Sequence, residues 1–174
     1  SALFIFLNRT CFNGLYRENA KGAFNVPHGR DANPTICDAE NIMAVHKLLQ
    51  RVSILQGDFQ QTADYASKKT FYYLDPPYKP LSETSSFNSY VKVPFDDSEQ
   101  VRLKHFIDDI TKKGAHFILS NSDTKAVNPD NSFFDLLYKE YDIQRVMAAR
   151  MVNSKGDRRG KLSELMISNA RQKL

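Results

Sequence analysis

The chain has no tryptophan, and only two cysteines and seven glycines among its 174 residues. Cys11 and Cys37 form no CxxC pair and no histidine cluster accompanies them. The sequence therefore offers no metal site of the zinc type, and it reads as a protein with reduced thiols, expected in the cytoplasm. No Gly-rich loop follows an apolar run. No apolar stretch approaches membrane-spanning length, the opening residues show no signal-peptide pattern, and no internal repeat or low-complexity tract is present. Ser1-Ala2 runs straight into Leu3-Phe4-Ile5-Phe6-Leu7, so the chain is expected to begin inside a buried element, as a fragment or processed piece would. What remains is the composition of an ordinary globular domain with a full core, 41% hydrophobic and 25% charged. The net charge of +4 and the pI of about 9.0 are mildly basic and compatible with a polyanionic partner.

One stretch organises the rest. Asp75-Pro76-Pro77-Tyr78 directly follows Thr70-Phe71-Tyr72-Tyr73-Leu74, a short aromatic-rich run that reads as a buried strand of a parallel sheet. In open α/β sheets the ligand crevice lies beyond the carboxyl ends of the strands, so an acid there is placed to act on a ligand. The two prolines fix φ and supply no N–H, which leaves a stiff turn whose carbonyls are free to accept. The Asp75 carboxylate and the Pro76 carbonyl supply two acceptors for the two N–H bonds of a planar amine. Tyr78 supplies a face on which its ring can stack. The exocyclic amine of a nucleobase is a poor nucleophile, because its lone pair is spread into the ring. Two acceptors draw the nitrogen toward tetrahedral geometry and localise that pair for attack. The catalysis expected is positioning plus stabilisation of positive charge growing on nitrogen, with S-adenosylmethionine as methyl donor. The plainer alternative is a strand followed by a Pro-rich turn whose Asp caps something nearby.

Upstream, Arg9 to Arg30 is loop-rich, with a tight-turn signal at Asn13-Gly14. Arg9, Arg17, Lys21 and Arg30 are interleaved with Phe12, Tyr16 and Phe24. Arginines suit phosphates and guanine edges, and exposed aromatics can wedge between bases. A solvated hairpin with a small aromatic cluster of its own is the alternative. Asp38 to Gln50 predicts a helix capped by Asp38, with Ile42, Val45, Leu48 and Leu49 at helical spacing as core positions. Val52 to Gln56 reads as a short strand. Gly57-Asp58-Phe59 follows and leads into a helix through Ala66, so Asp58 and Phe59 either contact the cofactor's adenine or form an N-cap and a core aromatic.

Lys79 to Phe95 is a long polar loop, expected to be a lid over the target base. A helix capped by Asp97 or Ser98 then runs to about Lys113, with Val101, Phe106, Ile107 and Ile110 inward, and Gly114 ends it. Ala115 to Ser120 is a buried strand with Asn121-Ser122-Asp123 on the ligand side; Phe133 to Tyr138 is a short helix. Ile143 to Ala149 and Leu162 to Ser168 read as a closing pair of strands. Between them, Arg150, Lys155, Arg158, Arg159 and Lys161 face a single Asp157, a composition that suits a phosphate backbone or a solvated hairpin.

These residues resemble the Dam-type DNA adenine N6-methyltransferases. The resemblance rests on Asp75-Pro76-Pro77-Tyr78, the Arg9…Phe12-Asn13-Gly14-Leu15-Tyr16-Arg17 segment and Phe24-Asn25-Val26-Pro27-His28-Gly29-Arg30. Leu81-Ser82-Glu83-Thr84, Leu119-Ser120-Asn121-Ser122 and Gly160-Lys161-Leu162-Ser163-Glu164 also match, so it spans nearly the whole chain. It implies a Rossmann-like α/β methyltransferase fold and methyl transfer from S-adenosylmethionine to adenine in GATC. It also implies a target-recognition region with a hairpin at residues 1–36 and a catalytic domain, incomplete at its N-terminus, at 37–174. In that reading Asp75, Pro76, Pro77 and Tyr78 form the catalytic turn, and Asp58, Phe59 and Asp75 lie at the cofactor. Phe12 is the intercalating aromatic, and Leu15, Arg17 and Pro27 read bases. Arg9, Asn13 and Arg30 hold phosphates or anchor the hairpin, and Lys155, Arg158 and Arg159 join the DNA contacts. The chain departs from the family where many relatives carry Tyr and it has Asp31. It also departs in lacking the Trp/Gly/Lys-containing segment and the Gly-rich cofactor loop, which implies the missing N-terminal portion of the enzyme as a partner. A non-catalytic DNA-binding fragment or decayed methyltransferase is the competing reading. A methyltransferase acting on RNA or a protein amide is a third, disfavoured because related turns there usually begin with Asn.

Overall fold

A computed structural model describes residues 2–19, 21–81, 95–149 and 161–170. It divides into two units, residues 1–56 and 57–174.

In the first unit, helix α1 (Ala2–Thr10) leads into a 3-10 turn at Phe12–Gly14. Asn13 and Gly14 there have positive φ, 54° and 62°, as the Asn-Gly signal requires. The chain then doubles back as an irregular antiparallel hairpin, tied by isolated bridges Cys11–His28 and Glu18–Phe24. Gly29 sits where a Cβ would come within 2.8 Å of the Cys11 carbonyl oxygen, so the two arms meet only because this residue lacks one. Helix α2 (Ala39–Leu49) is capped as expected, with the Asp38 side chain accepting from the Asn41 N–H. Three expectations are corrected. Ile42, Val45, Leu48 and Leu49 are exposed rather than core, because the described residues of the first unit leave that stripe mostly uncovered. The opening element is a helix with no buried residue; Leu3, Phe4, Ile5 and Phe6 are all exposed. Residues 52–56 pair with no strand among the described residues of their own unit, and Ile54 is 75% exposed.

The second unit is a four-stranded sheet in the order β1-β2-β4-β3, with strands β1 (Phe71–Leu74), β2 (His116–Ser122), β3 (Asp142–Ala149) and β4 (Lys161–Ser168). β1 and β2 are parallel; the β2–β4 and β3–β4 pairs are antiparallel. The sheet is therefore mixed rather than parallel throughout, as the closing pair of strands requires. Alternation puts Phe117, Leu119 and Asn121 of β2 on one face, all buried, and helix α3 (Asp97–Lys112) packs on it. α3 presents Gln100, Leu103, Ile107 and Ile110 on one stripe, with Phe106 beside them meeting Tyr72 and Phe59 edge to face. The cap of α3 is Asp96, one residue before the expected position, accepting from the Glu99 N–H. Gly114 ends the helix at φ 89°. Short helix α4 (Phe133–Leu137) contributes Phe134, and Tyr138 follows it into the core.

Only Tyr72 of β1 is buried; Phe71 and Tyr73 are 59% and 67% exposed. The expectation of a buried strand is corrected in part: α3 covers one face, and β1 lies at one end of the strand order among the described residues. The expected α-helix after Asp58 is a 3-10 helix, Phe59–Tyr65. Among the described residues no helix is long and apolar enough to cross a membrane.

Phe117 is fully buried and Leu136 is 67% exposed. Phe117→Ala should therefore lower stability by about 3–5 kcal/mol in denaturant unfolding, and Leu136→Ala by no more than about 0.5 kcal/mol.

Candidate active site

β1 and β2 run parallel with Leu74 opposite Leu119, so both deliver their next residues to the same edge. Those residues are Asp75 and Ser120. The Ser120 hydroxyl donates to Asp75 Oδ1 at 2.8 Å and lies 3.4 Å from the Leu74 carbonyl oxygen. Asp75 is exposed, while Pro76, Pro77, Tyr78 and Lys79 are half-buried. Among the described residues nothing donates to Asp75 Oδ2 or to the Pro76 carbonyl. Two acceptors on adjacent residues thus have no partner among the described residues at the carboxyl end of a strand, next to an aromatic ring. Burial pushes the Tyr78 phenol above its ordinary value; the Ser120 hydroxyl opposes this, and the charges of Glu164 and Asp75 add to it. Tyr78 is therefore a neutral phenol throughout the neutral range.

The far end of the turn is tied down. Lys79 N–H donates to Asn121 Oδ1 at 3.0 Å, and its carbonyl accepts from the Ser122 hydroxyl at 2.6 Å. The Pro77 carbonyl accepts from Gln100 Nε2 at 3.2 Å. The Lys79 ammonium pairs with Asp97 and lies 4.6 Å from the centre of the Phe133 ring. Sequence reasoning gave no role to Gln100, Ser120 or Ser122. The signal for Gln100 was present: it is a polar residue in register with Leu103 and Ile107 on the inward stripe.

Asp58 and Phe59 open the 3-10 helix. Asp58 Oδ1 accepts from the Gln60 N–H and from Arg102 Nη1, and Oδ2 from Arg102 Nη2 at 2.8 Å. The Arg102 guanidinium also lies 4.3 Å from the centre of the Phe59 ring. The capping and packing roles are thus present. A carboxylate offers about four acceptor positions, so one remains on this half-exposed side chain for a further donor, which fits an adenine amino group. Arg102 holds the Asp58 carboxyl below its ordinary range, with the Gln60 N–H acting in the same direction. A lowered carboxyl favours the fold above its unfolded value and loses that contribution as pH falls through the folded one. Arg102→Ala should cost under about 1 kcal/mol at pH 7, the discount set by exposure, and the gap to wild type should close on acid titration.

In the first unit, Arg9, Phe12, Asn13, Arg17, Pro27 and Arg30 are exposed and Leu15 is half-buried. Arg17 is braced across the hairpin, Nε to Asn25 Oδ1 at 2.8 Å and Nη2 to the Asn25 carbonyl at 3.0 Å. Asn8 Nδ2 donates to the Gly14 carbonyl, and Phe12 N–H to the Pro27 carbonyl. Phe4, Tyr16 and Phe24 form the aromatic cluster, with neighbouring ring centres 5.5 and 5.8 Å apart. Phe12 is outside those pairs and 39% exposed. Cys11 is buried and Cys37 exposed, both as free thiols. Lys155, Arg158 and Arg159, and most of the expected lid, lie outside the described residues.

The sequence is 52% identical over 169 residues to the type II methyltransferase M.MjaIII of Methanocaldococcus jannaschii, covering 97% of this chain and 56% of that protein. It is 39% identical over 171 residues to the type II methyltransferase M1.LlaDCHI of Lactococcus lactis subsp. cremoris, covering 97% and 58%. It is 34% identical over 167 residues to a DNA adenine methylase of Haemophilus influenzae, covering 95% and 56%. The chain thus spans little more than half the length of these curated relatives. The model of the D12 class N6 adenine-specific DNA methyltransferases matches residues 1–152. Membership implies the α/β fold of S-adenosylmethionine-dependent methyltransferases, here with a mixed sheet, and that cofactor. By this match, and by its Asp-Pro-Pro-Tyr turn at the carboxyl end of β1, the chain belongs to the D12 class N6 adenine-specific DNA methyltransferase family.

Proposed function

We propose that the protein carrying this chain transfers a methyl group from S-adenosylmethionine to N6 of adenine in duplex DNA, within GATC. The observation that carries this reading is the pair of open acceptors, Asp75 Oδ2 and the Pro76 carbonyl, beside Tyr78 at the carboxyl end of β1. The two acceptors take the two N–H bonds of the adenine amine and localise its lone pair. Pro77 stiffens the turn, and Tyr78 stacks on the flipped ring and fixes its plane. Ser120 keeps Asp75 Oδ1 occupied, which leaves the other oxygen for the amine. The cofactor supplies an electrophilic methyl group on a sulfonium centre. Asp58 accepts from its adenine amino group, Phe59 lines the ring, and Asp75 lies at the methyl end.

The DNA reading draws on the first unit. Phe12 is exposed and outside the aromatic cluster, as a wedge between bases must be. Leu15, Arg17 and Pro27 read base edges; Arg9 and Arg30 meet phosphates, and Asn13 holds the turn that presents them. The basic residues Lys155, Arg158 and Arg159 add phosphate contacts. GATC as the target rests on the resemblance of these segments to the Dam-type enzymes; the relatives called DNA adenine methylases support adenine as the methylated base.

Labelled S-adenosylmethionine tests this with the full-length protein, a GATC duplex and a GTTC control. Label should enter GATC alone. Asp75→Ala should lower transfer about 100-fold or more with DNA affinity retained. Tyr78→Phe should stay within about threefold of wild type, because the phenol acts as a face, whereas Tyr78→Ala should lose about 10–100-fold. Equal label in GTTC would remove the site assignment. Transfer surviving in Asp75→Ala would remove the role of the turn.

A further inference from the structure

Gln100 and Asn121 are both fully buried, at the polar end of an otherwise apolar seam between α3 and β2. Gln100 continues the stripe of Leu103, Ile107 and Ile110, and Asn121 continues the alternation of Phe117 and Leu119. Burying two amides in such a seam is costly unless each is paired, and these two are paired in one direction only. Lys79 N–H donates to Asn121 Oδ1 at 3.0 Å, Asn121 Nδ2 donates to Gln100 Oε1 at 3.2 Å, and Gln100 Nε2 donates to the Pro77 carbonyl at 3.2 Å. The backbone from Pro77 through Tyr78 to Lys79 closes the circuit. Neither amide can be flipped. The Lys79 and Ser122 N–H groups can only donate, so they require the Asn121 oxygen, and the Pro77 carbonyl can only accept, so it requires the Gln100 nitrogen.

We infer that Gln100 and Asn121 are positioning residues for the proposed methyl transfer, closing a hydrogen-bonded ring that fixes the backbone on either side of Tyr78. This rests on the activity proposed above. The ring fixes the two peptide groups that flank the stacking residue, so Tyr78 meets a flipped base from a set angle. It occupies the Pro77 carbonyl and leaves the Pro76 carbonyl as the open acceptor. Neither amide touches the substrate; both act through the turn. Misplacing such a turn by about 1 Å costs on the order of 100-fold in rate.

The test uses the full-length protein with Gln100→Met, which keeps the volume and removes both bonds, and with Ser122→Ala, which removes the donor to the Lys79 carbonyl and its longer contact with Asn121 Oδ1 and preserves folding if Gln100→Met does not. The first readout is hydrogen exchange at the Lys79 backbone amide, which needs no turnover. It should be slow in the unaltered protein and accelerate at least about tenfold in a variant. The second is the division between kcat and DNA affinity. kcat should fall about 10–100-fold in Gln100→Met and about threefold or more in Ser122→Ala, while the DNA Kd stays within about threefold. Fast exchange at Lys79 in the unaltered protein overturns the ring. Exchange that the variants leave unchanged, or faster exchange with kcat unaltered, overturns the positioning role. No transfer by the unaltered protein sinks the proposed activity and the catalytic half of this inference, while Lys79 exchange still decides whether the ring exists.

Discussion

Two buried amides with nowhere else to turn set the geometry of the Asp-Pro-Pro-Tyr turn. Prolines stiffen Asp75 to Tyr78 from within, but a stiff turn still needs a direction. Gln100 and Asn121 give it one by holding the Pro77 carbonyl and the Lys79 N–H, and Ser122 adds the Lys79 carbonyl. Because both amides are fully buried, breaking the Asn121–Gln100 bond or the Gln100–Pro77 bond strands an amide nitrogen away from water, at a cost of about 1–3 kcal/mol. The ring's members come from helix α3 and strand β2, so the packing of the core also decides where the turn points.

The same economy governs the other end of the turn. Ser120, one residue past Leu119, takes one oxygen of Asp75 and leaves the other. Downstream of Pro76, the Pro77 carbonyl and both backbone groups of Lys79 have partners from the core. Lys79, expected as the first residue of a lid, is instead held by its N–H, its carbonyl and its ammonium at once, the last by Asp97 and the face of Phe133. The division of labour follows from burial: polar groups that hold lie inside, and polar groups that react face out.

What could be read from residues alone was what is local. Asn13-Gly14 demands positive φ and has it; Asp38 before an apolar-periodic run caps a helix; Asp75 follows a strand because Leu74 ends one. Periodicity showed which residues of α2 share a face, but not whether anything covers it, and Ile42 to Leu49 are exposed. A short aromatic-rich run suggested a buried strand, yet Phe71 and Tyr73 are exposed because burial depends on a neighbour that β1 does not itself encode. The Gln100–Asn121 pair is 21 positions apart in the chain and became visible only when α3 lay on β2. Asp58 was ambiguous between cap and ligand because it has acceptor capacity for both, and Arg102, 44 positions on, takes part of it without any local mark.

The central claim is that Asp75 and the Pro76 carbonyl jointly accept the two N–H bonds of the target amine. The measurement that tests it most directly is a crystal structure of the full-length protein with a GATC duplex and a non-reactive analogue of S-adenosylmethionine. In that complex the target adenine should lie out of the stack against Tyr78, with its N6 within about 3.2 Å of both an Asp75 carboxylate oxygen and the Pro76 carbonyl oxygen. An adenine held by other groups, with N6 facing away from either acceptor, would contradict the claim.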